Sequence, residues 1–154
     1  MTPIKEAGAP LEVLLVEDSP GDVRLTREAL RDTHGSIHLN VASDGAEAMA
    51  VLRREGPHAN APRPDLILLD LNLPKMDGRE VLARIKKDAL LRTIPTVILT
   101  TSEAEADIER SYQLQANCYV TKPQHLDEYE RLVKSISDFW LTKVALPRSR
   151  RELP

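Results

Sequence analysis

The chain of 154 residues is long enough to form one domain with its own hydrophobic core. It carries 21 Lys and Arg against 24 Asp and Glu, and this formal net charge of −3 gives no reason to expect a nucleic-acid or membrane partner. No apolar run approaches the roughly 20 residues that cross a bilayer, no secretory signal is recognisable, and a single cysteine suits a reducing compartment. We expect a soluble, cytoplasmic domain over residues 11–146, after a lead-in of residues 1–10 and before a basic tail of residues 147–154.

The first predicted elements are a buried strand and a helix, with two acids between them. Residues 13–16 form a continuous apolar run, which predicts a strand that ends at Glu17 and Asp18. Ser19 then predicts the cap of a helix, with Asp22 in the capping-box position.

The second strand and helix follow the same order. Residues 37–42 alternate polar and apolar side chains, which predicts a strand at the edge of a sheet. Asp44 predicts the cap of the second helix, with Glu47 as its capping-box partner and Ala46 on its buried face.

The third strand is the most apolar one and ends in an acid. Residues 66–69 form a second continuous apolar run, followed at once by Asp70. Pro74 stops the strand, and Asp77 with Glu80 predicts the capping box of a third helix over residues 78–87.

The fourth strand leads to a polar helix. Residues 96–99 predict a third fully buried strand, which ends at Thr100. Ser102 and Glu105 predict a capping box for a helix over about residues 104–115. This helix has few apolar residues, so we expect it to be the least tightly packed.

The last strand is residues 118–120, followed by Lys122 and Pro123. The fifth helix carries apolar residues at helical spacing: Leu126, Tyr129, Val133, Ile136 and Trp140.

Alternation of strands and helices predicts an α/β fold, a doubly wound (βα)5 parallel sheet of the flavodoxin-like kind. The three continuous apolar strands belong in the centre, and the strand order 2-1-3-4-5 achieves this. That order places the ends of strands one and three side by side.

The strand ends bring together a set of chemically useful groups: Glu17, Asp18, Asp70, the backbone carbonyl of Asn72, Thr100 and Lys122. Three adjacent carboxylates repel one another unless a cation joins them, and an all-oxygen ligand set suits Mg²⁺. A hydroxyl and a lysine opposite that ion could hold a tetrahedral anion. The set as a whole indicates phosphoryl transfer to a carboxylate.

Each of these residues taken alone has a simpler explanation. An aspartate at a strand end is usually a cap or a turn former, and acids before a helix N-terminus are favoured by the helix dipole. Thr100 could be an ordinary strand residue and Lys122 a solvated loop residue. The functional interpretation is favoured because acids, a hydroxyl and a lysine follow four different strands at the same side of the sheet.

Four motifs at these strand ends belong together: Leu-Leu-Val-Glu-Asp at residues 14–18, Asp-Leu-Asn-Leu-Pro at 70–74 with Asp-Gly at 77–78, Ile-Leu-Thr at 98–100, and Lys-Pro at 122–123. As a set they resemble the receiver domain of two-component response regulators, over about residues 11–139. The resemblance implies that Asp70 accepts a phosphoryl group from a sensor histidine kinase. Asp18 would bind Mg²⁺ directly, Glu17 through water, and Asn72 through its backbone carbonyl.

The same resemblance implies a switch. Thr100 would be the hydroxyl that moves toward the phosphoryl group, Tyr119 the aromatic that swings inward with it, and Lys122 a contact of the phosphoryl oxygens. In this family the Lys122–Pro123 peptide bond would usually be cis, which sequence alone cannot show.

A narrower resemblance points to the phosphodonor. The acidic motif at residues 17–22, the long loop before strand three, the Thr-Thr-Ser run at 100–102 and the Phe-Trp-Leu run at 139–141 look like stand-alone regulators encoded beside bacterial phytochromes. The expected kinase is then a light-sensing, phytochrome-type histidine kinase. Because no output domain is expected after Trp140, the signal would leave by conformational change or by onward transfer to a downstream phosphotransfer protein.

A further apolar cluster lies beyond the expected end of helix five: Phe139, Trp140, Leu141, Val144 and Leu146. These residues either pack back on their own domain or form the contact of a homodimer.

Two other functions share parts of the pattern. A haloacid-dehalogenase-like phosphatase would need a second aspartate two residues after the first, where this chain has Asn72, and a lid domain. A phosphate-independent binding module would be expected to lose the acid pair or Lys122. No glycine-rich loop follows strand one, so nucleotide binding is disfavoured. We therefore expect a phosphoacceptor signalling protein that catalyses only its own phosphorylation and dephosphorylation.

Overall fold

The order of elements is the predicted one over residues 10–31 and 37–147, the part of the chain that the structure, a computed structural model, describes. The strands are β1 (Leu11–Val16), β2 (Ile37–Ala42), β3 (Leu66–Leu69), β4 (Thr96–Thr100) and β5 (Cys118–Thr121). The helices are α1 (Pro20–Arg31), α2 (Gly45–Arg53), α3 (Gly78–Lys87), α4 (Glu105–Gln113) and α5 (Leu126–Asp138). A 3-10 turn (Gly56–His58) precedes β3, and a π-helical turn (Phe139–Lys143) follows α5. Most of the lead-in and of the basic tail lies outside the described residues.

The five strands form one parallel sheet in the order β2-β1-β3-β4-β5, which confirms the predicted doubly wound topology. Val16 pairs with Leu69 across β1 and β3, so these two strands end at the same level. Beyond the strand ends, the Asp70 amide donates to the Val16 carbonyl (3.1 Å) and the Lys122 amide donates to the Thr100 carbonyl (2.7 Å). The residues that follow the strands are therefore fixed by the sheet itself.

The side chains of the central strands alternate between two hydrophobic clusters, one on each face of the sheet. Leu14 and Ile67 belong to the cluster beneath α2 and α3, whereas Leu15 and Leu68 belong to the cluster beneath α1 and α5. Burial of one such side chain contributes about 1.5–3 kcal/mol, so both faces hold the strands in register. This explains why a short run without polar alternation forms a strand here.

The helices pack with two departures from the predicted faces. Ala46 is exposed, because the buried face of α2 consists of other residues: Gly45, Ala48, Met49, Val51 and Leu52. A Cβ atom on Gly45 would lie 2.0 Å from the Met76 carbonyl oxygen, and this close approach fixes the rotation of α2. Leu126, predicted to be buried, is 68% exposed at the start of α5.

The fourth helix has little apolar anchoring, as predicted. Among its described residues only Ser111 is buried. The predicted capping box is wrong: the N-cap is Ala104, and the Ser102 hydroxyl donates instead to Asp107 (2.6 Å). Side-chain bonds rather than buried apolar surface thus hold the start of α4.

The predicted caps of α2 and α3 are confirmed, with one change. Asp44 accepts a hydrogen bond from the Glu47 amide (2.7 Å), and Asp77 accepts one from the Arg79 amide (2.8 Å). The Glu80 carboxylate does not complete the box, because it pairs with Arg84 one turn later (2.6 Å).

Part of the apolar cluster after α5 packs on its own domain. Trp140 and Leu141 contact the hydrophobic cluster beneath α1 and α5, whereas Phe139 is 55% exposed. Over residues 10–31 and 37–147, the helices are too short or too polar to span a bilayer.

Candidate functional site

Asp70 lies directly after β3, in the middle of the sheet edge where the strands end. Its side chain is largely buried and accepts hydrogen bonds from the Asn72 amide (3.1 Å) and from Lys122 Nζ (3.1 Å). A Cβ atom on Gly78 would lie 2.2 Å from the Asp70 carbonyl oxygen. Glycine at the start of α3 therefore lets that helix pack closely behind Asp70.

Three carboxylates meet at this edge, as predicted. Oxygen atoms of Glu17, Asp18 and Asp70 all lie within 4.8 Å of one another. Glu17 is only 2% exposed, and this burial raises its pKa to about 7, against the lowering effect of its hydrogen bond with Lys122. A divalent cation would reduce the repulsion among these three carboxylates and stabilise the ionised form of Glu17. The oxygen-only donor set fits Mg²⁺ or a similar hard ion.

Lys122, the residue that follows β5, holds this cluster together. Its ammonium nitrogen lies 2.5 Å from Glu17 Oε1, 2.8 Å from Asp22 Oδ2 and 3.1 Å from Asp70 Oδ2. Burial alone would lower the pKa of Lys122, but the bonds to Asp22 and Glu17 raise it above its ordinary value. Lys122 is therefore a fixed positive charge beside Asp70.

Asp22 is the site residue that the sequence interpretation missed. It does not complete a capping box: the Glu17 carboxylate accepts from the Ser19 amide instead (3.2 Å), and the Asp22 carboxylate turns to Lys122. Ser19 does cap α1, since its hydroxyl accepts from the Asp22 amide (3.3 Å). One signal was available: Asp22 is the last acid of the motif at residues 17–22, and it lies in the first turn of α1.

Thr100, the last residue of β4, is fully buried. Within residues 10–31 and 37–147, no hydrogen-bonding group lies within reach of its Oγ1 atom. A buried hydroxyl without a partner costs about 1–3 kcal/mol and is uncommon in native proteins.

Tyr119 is connected to the loop that precedes α4. Its hydroxyl donates to the Ser102 carbonyl (2.9 Å), and the ring packs against the cluster beneath α2 and α3. Asp107 of α4 accepts from the Ser102 hydroxyl and from Arg79 Nη2 (2.7 Å), and these bonds lower the pKa of Asp107. Side chains from α3, α4 and β5 thus meet at this loop.

The Lys122–Pro123 peptide bond is trans, contrary to what the family resemblance implied. The two isomers of an X–Pro bond differ by only about 0.5–1 kcal/mol, so the sequence does not determine the choice.

This arrangement combines a carboxylate nucleophile, a cation site and a fixed ammonium group. Charge on transferring phosphoryl oxygens is neutralised by such cations, and the buried setting strengthens their effect. Asn72 follows Asp70 at the position where a haloacid-dehalogenase-like phosphatase would have its second aspartate. The geometry therefore favours a phosphoacceptor.

Residues 13–134 match the family described as "Response regulator receiver domain". The chain belongs to this family. The matched range includes β2 to β5 in full and all but the first two residues of β1. Membership makes the chain a signalling protein whose partner class is the histidine kinase.

Individual receiver proteins are also similar over nearly their full length. Response regulator Rcp1 of the cyanobacterium Synechocystis sp. is 50% identical over 142 residues, which are 92% of this chain and 97% of Rcp1. The crystal structure of the phosphorylated cyanobacterial phytochrome response regulator RcpA matches with a TM-score of 0.88 and 53% identity, covering 90% of this chain and 99% of RcpA. The Mn²⁺-bound form of Rcp1 matches with a TM-score of 0.87 and 51% identity over 90% of this chain and 99% of that one.

Proposed function

We propose that this receiver domain accepts a phosphoryl group on Asp70 from a phytochrome-type sensor histidine kinase, in a reaction that depends on Mg²⁺. The observation that carries the proposal is Asp70 itself: a carboxylate at the strand end, within 4.8 Å of two further carboxylates and 3.1 Å from a lysine. The similarity to a phytochrome response regulator, RcpA, supports the choice of kinase class.

In the proposed reaction, an oxygen atom of Asp70 forms a bond to phosphorus while the bond between phosphorus and the donor histidine breaks. The electron pair of the broken bond stays on the imidazole nitrogen, which takes up a proton. Lys122 holds one of the phosphoryl oxygens. Mg²⁺ would be held by Asp18 directly, Glu17 through water, Asp70, and the Asn72 backbone carbonyl, and it would neutralise charge on those oxygens.

The conformational response starts at Thr100 in this proposal. Its buried hydroxyl gains a phosphoryl oxygen as partner, and Tyr119 and the loop before α4 move with it. We assign α4 as the bistable element because it buries little apolar surface. Ser111, a polar residue, is the only buried one among the residues described in that helix.

Further aspects of the function concern partners and location. The domain catalyses only its own phosphorylation and dephosphorylation and resides in the cytoplasm. It signals by conformational change or by onward transfer to a downstream phosphotransfer protein, and it forms a homodimer. Residues 11–146 form the working unit, including the turn after α5.

The exposed ring of Phe139, which packs edge-on against Trp140 with centroids 5.7 Å apart, supports a dimer contact there. Sedimentation of the phosphorylated and unphosphorylated protein tests this, and a monomer at high concentration in both states refutes it.

The kinase assignment is tested by phosphotransfer kinetics. Several radiolabelled histidine kinases, phytochrome-type and unrelated, are mixed with the wild-type protein and with Asp70→Asn, and early transfer rates are compared. We expect fast transfer from a phytochrome-type kinase to the wild type and none to the variant. Equal slow transfer from every kinase would refute the assignment, and transfer to Asp70→Asn would refute the acceptor.

A further inference from the structure

Lys122 is bound by one more carboxylate than the proposed reaction uses. A lysine ammonium group has three N–H donors and no acceptor. Glu17, Asp22 and Asp70 each accept one of them, at 2.5, 2.8 and 3.1 Å. Two of these acids belong to the predicted metal site, whereas Asp22 lies on α1 and is not part of the three-carboxylate cluster.

The contact with Asp22 uses no atom that the proposed reaction requires. In the proposed reaction, a metal ion would draw on Glu17 and Asp70, and a phosphoryl group would take over the donor that faces Asp70. Asp22 is 31% exposed in its side chain and has no such competing role. Its hydrogen bond with Lys122 (2.8 Å) therefore ties the ammonium group to α1.

We propose that Asp22 is a positioning residue, which acts through Lys122 to hold the ammonium group where it meets the transferred phosphoryl group. This inference rests on the proposed function of Asp70. Formation and hydrolysis of the acyl phosphate are two separate phosphoryl transfers, from the donor to Asp70 and from Asp70 to water, and the phosphoryl oxygens carry charge in the transition state of each. Loss of Asp22 leaves Lys122 less constrained, so both reactions become slower.

The test measures both rates with a small donor, which avoids any effect on kinase docking. Acetyl phosphate and Mg²⁺ are added to the protein, formation of the acyl phosphate is followed by phosphate-affinity electrophoresis, and its decay is followed after the donor is removed. The variants are Asp22→Ala and Asp22→Asn. Glu28→Ala is the matched control, because it removes a carboxylate from the same helix that pairs only with Arg24 at 3.5 Å in the described part of the chain.

We expect Asp22→Ala to slow both formation and hydrolysis by about tenfold, in line with the loss of one charge-assisted hydrogen bond. Asp22→Asn keeps an acceptor oxygen and should recover most of both rates, while Glu28→Ala should behave as the wild type. Thermal melting of each variant identifies any that does not fold. If Asp22→Ala does not fold, Asp22→Leu, which fills a similar space without an acceptor oxygen, replaces it in the comparison with Asp22→Asn and Glu28→Ala.

A double-mutant cycle separates positioning from a general electrostatic effect. In a Lys122→Met background, Asp22→Ala should change neither rate, because its effect passes through the missing ammonium group. The same slowing in both backgrounds would overturn the inference, as would unchanged rates for Asp22→Ala or a loss of Mg²⁺ binding in that variant. A wild-type protein that is not phosphorylated at all would instead refute the proposed function.

Discussion

The buried hydroxyl of Thr100 predicts an effect opposite to that of most core substitutions. Thr100→Val replaces the hydroxyl by a methyl group of similar size and leaves the backbone unchanged. Most core substitutions destabilise a protein. Here the wild-type Oγ1 atom is fully buried and unpartnered within residues 10–31 and 37–147, so its removal relieves an existing cost.

The magnitude follows from that cost. Burying a hydroxyl without a hydrogen bond costs about 1–3 kcal/mol in protein mutational data. A gain of about 1–2 kcal/mol in the free energy of unfolding corresponds to a rise of roughly 2–8 °C in the melting temperature for a protein of this size. Thr100→Ser is the matched control, because it keeps the hydroxyl and loses a methyl group, and it should lower stability by about 1 kcal/mol.

A mimic of the phosphorylated state should stabilise the wild type more than it stabilises Thr100→Val. Beryllofluoride with Mg²⁺ serves as the phosphoryl mimic. The wild-type hydroxyl then gains a charge-assisted hydrogen bond of about 1.5–3 kcal/mol, which the valine variant cannot form. The increase in melting temperature on adding the mimic should therefore be clearly smaller for Thr100→Val than for the wild type or Thr100→Ser.

Differential scanning calorimetry or fluorimetry, with and without the mimic, measures all these values. A Thr100→Val protein that melts below the wild type would show that the hydroxyl is not an unpaired group in the resting state. If the mimic raises the melting temperature of Thr100→Val as much as that of the wild type, the switch role of Thr100 is refuted.

Three further predictions concern the metal site, α4 and the support of Asp70. Burial raises the pKa of Glu17 from 4.5 to about 7, so the folded state binds this proton more tightly than the unfolded state does. The proton's contribution to the free energy of unfolding is therefore lost as the pH rises from 4.5 through 7. Mg²⁺ must displace the same proton, so its affinity by titration calorimetry should rise from pH 6 to pH 8 with proton release; a pH-independent affinity would contradict this. Arg79→Ala removes the link from α3 to α4 and should speed amide exchange in α4 by about fivefold, whereas Arg84→Ala on the exposed face should not; equal exchange in both variants would show that the link does not restrain α4. Gly78→Ala places a Cβ atom 2.2 Å from the Asp70 carbonyl oxygen and should lose about 2 kcal/mol or more of stability, while Gly21→Ala, 3.9 Å from its nearest neighbour, should change little. Equal melting temperatures for these two variants would refute the close-packing argument.

The sequence predicted the sheet well because its central strands have an unambiguous pattern. The runs that became β3 and β4 are bounded by proline or acid and buried on both faces, so neither length nor composition permits a helix. Their order followed from which strands lacked polar alternation. The site residues at the strand ends followed in turn, since a parallel sheet gathers its carboxyl ends at one edge.

Other features depend on contacts that local pattern does not contain. Ala46 is apolar but exposed, because the rotation of α2 is set by the close approach of Gly45 to Met76 in another loop. Asp22 has the spacing of a capping box, yet its carboxylate finds Lys122, 100 residues away in the chain. A charged partner at that distance in sequence outweighs a local backbone amide.

The same limit applies to Thr100. Its position at the end of β4 was readable from the sequence, but the lack of a partner for its hydroxyl is a property of the packed core. Only the assembled clusters on both faces of the sheet reveal that this side chain is buried and unpaired.

The central claim is that Asp70 is the group that becomes esterified. The most direct measurement is to phosphorylate the protein with acetyl phosphate and Mg²⁺, reduce the acyl phosphate with borohydride, and locate the resulting homoserine by peptide mass spectrometry. We predict a single modified position, Asp70, and none without Mg²⁺. Modification at Asp18 or Glu17 instead, or an unmodified Asp70 in protein that carries phosphate, would contradict the account.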